Sequence, residues 1–243
     1  QDWPGLAILE SGIRRVVDQI PHEDTKILYW FWFFLTSNII RIYSTRYSKK
    51  FGWPKYSPEV VLKNFIETYD NALTEEECKY IIDYMNTDDR LIPGVVQSGV
   101  QVNVKDSWDL TLNLDQDLEV NRMIFKSLEK CLILYVKKHP QLNQVSKWKY
   151  HPFYNLQKYD PYQGYHFLHC ENNGYNHKRM MAWMFYLNTV TDGGGTYFDN
   201  YDLTMDAVEG RGVLWPAYWT HMHKGIISKT ETKYIATGWV SYT

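Results

Sequence analysis

Two short histidine-containing segments in the C-terminal half carry the residue types best suited to metal chemistry. In GYHFLHCENN, His169 and Glu171 are separated by one residue, so on a strand both side chains lie on the same face. The later segment THMHKG offers His221 or His223 as a third ligand. Two histidines and one carboxylate on one side of a metal leave coordination positions open for substrate and oxygen, which suits Fe(II). Zinc remains possible with the same ligands, because its affinity for most nitrogen and oxygen sites exceeds that of Fe(II).

A lysine that follows these histidines is predicted to lie on an apolar strand face. Lys233, in the segment KYIATGW, comes ten residues after His223. Its neighbours on that face, counted in steps of two, are Ile235, Thr237 and Trp239. A buried lysine on such a face costs free energy unless it meets an anion. We therefore expect Lys233 to bind an anionic ligand.

The composition predicts a globular chain with no marked affinity for nucleic acid. The chain has 243 residues, 44% of them hydrophobic, and a net charge of -2, enough for one large domain with or without an extension. This near-neutral charge gives no sign of the basic surface that binding to a phosphate backbone usually needs, so no nucleic-acid partner is expected. The three cysteines show no paired spacing, which favours a reducing compartment over a disulfide framework.

Residues 1–58 are predicted to form an aromatic-rich N-terminal extension that ends in the turn-rich stretch FGWPKYSP, followed by a domain at 59–243. The start of the chain lacks the pattern of a secretory signal. The apolar run from Ile27 to Ile40 is 14 residues long, whereas a membrane span needs about 20, so no transmembrane segment is expected. Aromatic side chains at this density have to be covered by other protein surface. The extension is therefore expected to pack on the domain or on a second subunit of a homo-oligomer.

The pattern of apolar residues predicts helices first and strands later. Thr74 and Glu77 have the spacing of a capping box at the start of a helix over TEEECKYIIDYMN, and a second helix is predicted from about Leu118 to Lys138. After Pro140, short aromatic and β-branched runs alternate with the turns YDPYQG, ENNG, TDGGG and EGRG. Such a pattern is typical of an antiparallel sandwich or barrel. The predicted fold class is α+β.

Four segments, taken in order, resemble the prolyl 4-hydroxylase branch of the 2-oxoglutarate-dependent oxygenases. They are KYDPYQGYHFLHCE, RMMAWMFYLNTVTDGGGTYF, GRGVLWPAYWTHMHKG and KYIATGW. The resemblance runs from about Val61 to Tyr242, roughly three quarters of the chain. Four ordered segments make it more specific than any one motif. It implies a double-stranded β-helix, or jelly-roll, core with flanking N-terminal helices.

The resemblance also implies the identity of the metal and of its ligands. It assigns Fe(II) to His169, Glu171 and His223. The interval of ten residues to Lys233 selects His223 over His221, which then lies behind the ligands or faces the substrate. Glu171 stands where the family usually has Asp. The longer side chain keeps the charge but adds a methylene, so the ligand geometry differs from the usual site.

Further residues are implied to bind the cosubstrate, 2-oxoglutarate. Lys233 would hold its far carboxylate, with Tyr186 as a hydrogen-bond donor to the same group. Tyr159 and Thr237 match other pocket positions, although Thr237 lies about 13 Å from Lys233 along an extended strand. Tyr186 also fits a plain core position. The turn DGGGTYF is expected to close the barrel beside the site.

The implied reaction consumes 2-oxoglutarate and O2 and releases succinate and CO2 while the substrate is hydroxylated. The resemblance favours a prolyl residue in a peptide or protein as the substrate. Aromatic residues that could pack on a proline-rich chain are Trp183, Trp215, Tyr218 and Trp219. Alternatives are a free amino acid or another small molecule, or a catalytically silent binding module. The resemblance to phage and bacterial enzymes implies a bacterial cytoplasm.

Overall fold

The computed structural model describes residues 63–96, 99–116 and 118–243, and these contain three α-helices and thirteen strands. The helices are α1 (Glu75–Thr87), α2 (Glu119–Lys138) and the single turn α3 (Leu142–Val145). The predicted extension over residues 1–58 lies outside the described residues, and so does its predicted packing on a partner.

Both longer helices begin where the sequence predicts. At α1 the Thr74 hydroxyl accepts a hydrogen bond from the Glu77 amide at 3.2 Å, and the Glu77 carboxylate accepts one from the Thr74 amide at 2.9 Å. This reciprocal pair satisfies two backbone donors that the first turn would otherwise leave free. Helix α2 begins one residue after Leu118 and ends at Lys138. The capping box and the helical periodicity are therefore confirmed.

The strands are short, apart from four of six to ten residues, and nine of the thirteen come after α2, in the half of the chain where strands are predicted. In chain order they are β1 (Glu67–Tyr69), β2 (Ile92–Pro93), β3 (Lys105–Asp106), β4 (Trp108–Asn113), β5 (Trp148–Tyr150), β6 (Phe153–Tyr159), β7 (Gly164–Tyr165), β8 (Arg179–Tyr186), β9 (Thr196–Phe198), β10 (Leu203–Met205), β11 (Gly212–Pro216), β12 (His223–Gly225) and β13 (Lys233–Tyr242).

These strands form one large and two small antiparallel sheets. The large sheet has the order β1-β11-β8-β13-β6-β4-β2, and β5 also pairs with β13. One small sheet has the order β10-β9-β12, and the other pairs β3 with β7. Helices that precede an antiparallel β-rich half confirm the predicted α+β class.

The large sheet is covered on both faces, and its two faces contribute to separate cores. Helices α1 and α2 pack on the outer face, while the inner face encloses a second cluster with the small sheets. Strand β8 shows the division, because Met181, Trp183 and Phe185 belong to the outer core, whereas Ala182, Met184 and Tyr186 belong to the inner one. This period of two explains why β8 is an almost unbroken apolar run.

Strand β13 follows the same alternation. Ala236 and Val240 face the helices, and Ile235 and Trp239 belong to the inner cluster. Lys233 lies two residues before Ile235, so the inner face also receives the lysine. The large sheet thereby places a cation among apolar side chains.

None of the helices within the described residues combines the length and apolar character needed to cross a membrane.

Candidate metal centre

The side chains of His169, Glu171 and His223 converge at one end of the inner cluster. One ligand atom from each lies within 4.8 Å of the others. Oε1 of Glu171 is 3.5 Å from Nε2 of His169 and 3.5 Å from Nε2 of His223. Two imidazole nitrogens and a carboxylate oxygen in this arrangement form the ligand set that Fe(II) takes in two-histidine, one-carboxylate sites.

The backbone brings the two histidines together through a single antiparallel bridge. The His169 amide donates to the His223 carbonyl at 3.0 Å, and the His223 amide donates back at 2.9 Å. His223 begins β12, but His169 lies in no regular strand, and Glu171 follows in a bend. The expectation of a strand through His169 and Glu171 is therefore wrong. Their side chains meet because the chain bends after the bridge.

Each histidine has one ring nitrogen fixed by a backbone carbonyl. Nδ1 of His169 donates to the Phe167 carbonyl at 3.0 Å, and Nδ1 of His223 donates to the His221 carbonyl at 2.9 Å. With the proton on Nδ1, the lone pair of each Nε2 is free to bind a metal. In its neutral form, each ring therefore has the tautomer that a metal ligand needs.

His221, the other candidate, lies outside this cluster. Its Nε2 is 2.7 Å from the Asn64 carbonyl, and its Nδ1 is 2.9 Å from the Thr220 hydroxyl. Both ring nitrogens are thus occupied by the protein, and burial lowers the pKa of this imidazole. Its backbone carbonyl, which orients His223, is its contribution to the metal cluster.

The second oxygen of Glu171 is held by two residues that sequence reasoning did not identify as part of the site. The Trp239 indole nitrogen donates to Oε2 at 2.8 Å, and Nη1 of Arg179 lies 3.4 Å from the same oxygen. The Arg179 guanidinium also stacks on Trp239, with 3.4 Å from its central carbon to the ring centroid. Both contacts leave Oε1 facing the histidines. The sequence predicts that Trp239 and Lys233 lie on the same strand face, and this shared face is the signal that could have identified Trp239 as part of the site.

Several effects act on the Glu171 carboxyl. Burial alone raises its pKa, but the hydrogen bonds and charges of His169 and His223 outweigh burial and hold the pKa well below its usual range. The side chain is therefore an anion, as a ligand to a divalent cation must be. Tyr165 adds a stacking contact, with 3.8 Å between its ring centroid and that of His169.

Lys233 is a buried cation without an ionic partner among the described residues. Its side chain is 7% exposed, and Nζ lies 4.6 Å from the centroid of the Tyr159 ring. Burial lowers the pKa of Lys233 to about 8. A Cβ added at Gly225 would lie 3.4 Å from Nζ, so the ammonium group sits beside that residue. Since Gly225 and His223 are two residues apart on β12, the ammonium group lies near the predicted metal ligand.

Two further hydroxyl groups lie close to this position. Thr196 is the cross-strand partner of Gly225, and the hydroxyls of Thr196 and Tyr186 are 2.7 Å apart. The Tyr186 hydroxyl also lies 3.3 Å from the Met205 carbonyl, and the side chain is fully buried. Lys233, Thr196 and Tyr186 therefore surround the same end of the inner cluster.

Tyr159 and Thr237 take different positions. Tyr159 lies beneath the Lys233 ammonium group, and its hydroxyl donates to Gln157 Oε1 at 2.8 Å. The Thr237 hydroxyl donates to the Trp183 carbonyl at 3.0 Å, so that its proton is used within the sheet. The structure brings Tyr159 to Lys233 and leaves Thr237 bonded to the backbone of the adjoining strand.

A buried polar network extends from Tyr159 on β6 to the neighbouring strand β4. Gln157 donates to Asp109 Oδ2 at 3.3 Å, and Asp109 forms an ion pair with Lys105 and accepts a bond from Ser107 at 2.9 Å. All four of these side chains are buried. The sequence KDSWD, with polar residues at alternate positions, was a signal that could have revealed this network.

The aromatic residues predicted to face a substrate have different environments. Trp183 is 1% exposed and packs in the outer core, so the expectation that it contacts a substrate is wrong. Trp215 is buried with its ring 5.1 Å from that of His223, and the Tyr218 hydroxyl donates to Tyr242 at 3.2 Å. Only Trp219 of the four is well exposed, at 73%.

Comparisons with solved structures reveal the fold of this chain, whereas comparisons of its sequence do not. No family model and no curated protein matches the chain. A viral collagen prolyl hydroxylase from Paramecium Bursaria Chlorella virus-1, solved as a 2OG complex, is 19% identical, with a TM-score of 0.59 over 74% of this chain and 98% of that one. A prolyl-4-hydroxylase from Pseudomonas putida is 15% identical, with a TM-score of 0.58 over 74% and 94%.

A third structure adds a bound peptide. It is a prolyl hydroxylase from Trichoplax adhaerens in complex with a peptide fragment of the hypoxia inducible factor oxygen degradation domain. It is 17% identical, with a TM-score of 0.61 over 74% of this chain and 84% of that chain. The described domain therefore has the prolyl 4-hydroxylase fold, and the predicted jelly-roll core is confirmed.

Proposed function

We propose that this chain is an Fe(II)- and 2-oxoglutarate-dependent dioxygenase that hydroxylates a prolyl residue in a peptide or protein. The observation that carries the proposal is the position of Lys233, a buried cation beside the strand that bears His223. A metal cluster alone would fit several chemistries. A metal cluster near a buried cation that has no ionic partner among the described residues fits a ligand that has one chelating end and one anionic end.

The three predicted ligands fit Fe(II) by the type of their donor atoms and by the way in which the protein orients those atoms. Nδ1 of each histidine donates to a backbone carbonyl, so Nε2 is the nitrogen that faces Glu171 and the metal position, and the low pKa of Glu171 keeps its carboxylate ionised. Such a facial set leaves positions for a chelating cosubstrate and for O2. Zinc would bind the same donors, so metal analysis of the active protein distinguishes the two metals.

The spacing between the metal ligands and Lys233 fits 2-oxoglutarate. Alternate residues on a strand are about 7 Å apart, which is the separation expected between His223 and Gly225, and the Lys233 ammonium group lies beside Gly225. A five-carbon dicarboxylate can bridge a gap of this size. Gly225 has no side chain to occupy the space, and Thr196 and Tyr186 supply hydroxyls for the far carboxylate. Lys233 then meets the anion that its burial requires.

Bound Fe(II), 2-oxoglutarate and O2 supply the oxidising chemistry, in which 2-oxoglutarate is converted to succinate and CO2 as the substrate gains a hydroxyl group. The chain's own residues orient the components. Lys233 fixes the far end of the cosubstrate, while Trp239 and Arg179 hold the Glu171 carboxylate towards the histidines. Phe198 and Trp215 pack around His223 and exclude water from its buried side.

The prolyl substrate is supported by the structural neighbours, which are prolyl hydroxylases, one of them in complex with a peptide. Phe167 and Trp219 are more than half exposed and lie two and four residues from His169 and His223, so a chain bound there would meet apolar side chains. The alternative substrate is a free amino acid or another small molecule. A catalytically silent module with the same fold is the alternative from a different class.

The test is succinate release from 2-oxoglutarate by the full chain loaded with Fe(II) in the presence of O2. Wild-type protein should release succinate even when no substrate to be hydroxylated is present. The variant His223→Ala should release none. A silent module would release none in either form. A screen of proline-containing peptides and free amino acids, read as an added oxygen by mass, then identifies the substrate.

A further inference from the structure

The buried polar network that contains Lys105 and Asp109 ends beneath the cation of the candidate cosubstrate site. Tyr159 on β6 and Lys233 on β13 are direct cross-strand partners, and Nζ of Lys233 lies 4.6 Å from the centroid of the Tyr159 ring. A lysine ammonium group within about 6 Å of the centre of an aromatic ring is attracted to the face of that ring. The position of the Tyr159 ring therefore affects where Lys233 holds its charge.

The pairing of Asp109 with Lys105 sets the direction of the hydrogen bonds in this network. An ionised carboxylate only accepts hydrogen bonds, so the Gln157 amide presents Nε2 to Oδ2 of Asp109, at 3.3 Å. Oε1 of Gln157 then faces Tyr159 and accepts a hydrogen bond from its hydroxyl at 2.8 Å. The proton of that hydroxyl is used within the protein. Tyr159 therefore offers Lys233 the face of its ring.

Each side chain of the network is buried and has a polar partner. Oδ2 of Asp109 pairs with Lys105, and Oδ1 accepts a hydrogen bond from the Ser107 hydroxyl at 2.9 Å. All members are between 3% and 7% exposed, namely Lys105, Ser107, Asp109, Gln157 and Tyr159. A buried ion pair contributes little net stability, because the loss of hydration offsets its attraction. A fully connected network is rigid, however, so this one is well suited to hold Tyr159 in a single orientation.

Lys233 gains from such a fixed neighbour because its own side chain is long and flexible. Nζ of Lys233 has no hydrogen-bond partner among the described residues, yet it is not fully enclosed, so a ligand can reach it. A lysine that becomes ordered only when its ligand binds loses rotational freedom at that moment, and this loss weakens binding. The contact with the Tyr159 ring limits the loss, because it restricts the ammonium group before the ligand arrives.

We propose that Gln157 is a positioning residue of the cosubstrate site. It anchors the hydroxyl of Tyr159, and the ring of Tyr159 in turn holds the Lys233 ammonium group in place for the far carboxylate of 2-oxoglutarate. Lys105 and Asp109 support this arrangement by orienting the Gln157 amide. The proposal rests on the proposed oxygenase function and adds to its cosubstrate site a residue that acts through its neighbour.

The test compares two keto acids that differ only at the far end. 2-Oxoglutarate carries a carboxylate there, whereas 2-oxopentanoate carries a methyl group. Binding of each to the full chain with Fe(II) is measured by calorimetry without O2, so that no turnover occurs. The ratio of the two dissociation constants reports the contact between the far carboxylate and Lys233. In the wild type, 2-oxoglutarate should bind about 10-fold to 100-fold more tightly, as expected for a charge-assisted hydrogen bond.

Three variants examine whether Gln157 acts through the Tyr159 hydroxyl. Gln157→Leu and Tyr159→Phe each remove one side of the hydrogen bond, and each should lower the preference for 2-oxoglutarate about threefold to tenfold while 2-oxopentanoate binds as before. The double variant should lose no more than either single variant, because the bond is already absent. The matched control is Gln163→Leu, since the Gln163 amide donates to a different aspartate, Asp106, at 2.9 Å. This control should keep the wild-type preference.

The proposal is overturned if Gln157→Leu keeps the wild-type preference, if it weakens the binding of both keto acids equally, or if the losses of the two single variants add in the double variant. Equal weakening would indicate a purely structural role, and additive losses would show that Gln157 does not act through Tyr159. If Gln157→Leu does not fold, Tyr159→Phe and the double variant decide the question, and a wild-type preference in both overturns the proposal.

Failure of the proposed function gives a different result. The wild type itself then binds the two keto acids equally or binds neither, and the role of Gln157 falls with that function. A wild-type preference that none of the variants changes refutes the role of Gln157 alone.

Discussion

The indole nitrogen of Trp239 donates a hydrogen bond of 2.8 Å to Oε2 of Glu171. This bond crosses from the last strand of the large sheet to the loop that carries two of the predicted metal ligands. A glutamate has one more rotatable bond than an aspartate, so a ligand carboxylate on this longer side chain needs to be held. Trp239 holds one oxygen, and the other faces Nε2 of His169 and His223.

Replacement of Trp239 by Phe should therefore weaken metal binding. The loss of an orienting hydrogen bond to a ligand typically costs 10-fold to 100-fold in metal affinity, and we expect a value in about that range. Anaerobic calorimetry with Fe(II) measures it. Trp148→Phe is the control, because the Trp148 indole donates to Asn143 on the exposed surface. Equal affinity in the two variants would show that the Trp239 bond does not orient Glu171.

The two histidines of THMHKG should respond differently to replacement. His223→Ala removes a predicted ligand and should abolish tight metal binding. His221→Ala should retain it, because His221 orients His223 through a backbone carbonyl that alanine also has. The same variant should be less stable, since the contacts of the imidazole with Asn64 and Thr220 are lost. Loss of metal binding in His221→Ala with retention in His223→Ala would reverse the assignment.

The affinity for 2-oxoglutarate should fall as pH rises above about 8. Burial lowers the pKa of Lys233 to about 8, so the ammonium form that attracts the carboxylate predominates below this pH and is lost above it. The dissociation constant should then rise, approaching tenfold per pH unit. Lys233→Arg keeps its charge throughout and should show a flatter profile. Calorimetric titrations between pH 7 and 10 measure both, and a flat profile in the wild type would contradict the role of Lys233.

The buried ion pair between Lys105 and Asp109 should contribute to stability only as a pair. Asp109→Ala leaves a buried lysine without its partner, and we expect a loss of about 3–5 kcal/mol in the free energy of unfolding. The double replacement Lys105→Met with Asp109→Ala removes both charges and should recover much of that loss. Urea denaturation measures each variant. A loss below about 1 kcal/mol in the single variant, as for an exposed pair, would show that water reaches Lys105.

Much of the fold was predictable because its signals are local. The Thr74 and Glu77 capping box and the apolar stripe of α2 lie within single segments, and the structure has both helices where the sequence predicts them. The alternation along β13 also predicted that Lys233 and Ile235 lie on the same face of the strand. Periodicity of this kind depends on backbone geometry alone.

The candidate site was less predictable, because it depends on contacts between distant segments. A period of two suggested that His169 and Glu171 share a strand, whereas a single bridge to His223 and a bend bring them together. Trp183 and Trp219 look alike as aromatic residues near the site, yet one is in the outer core and the other is exposed. The pairing of Tyr159 with Lys233 depends on strand register, which neither segment encodes alone.

The bridge between His169 and His223 also bears on how the domain is held together. A metal ion bound by both imidazoles would act as a removable crosslink around the loop of chain that contains β8, β9, β10 and β11. The unfolded chain offers no such preformed site, so the free energy of metal binding becomes available for folding. Chelation would then loosen the half of the barrel that bears the ligands, while helices α1 and α2 keep their own packing on the outer face of the sheet.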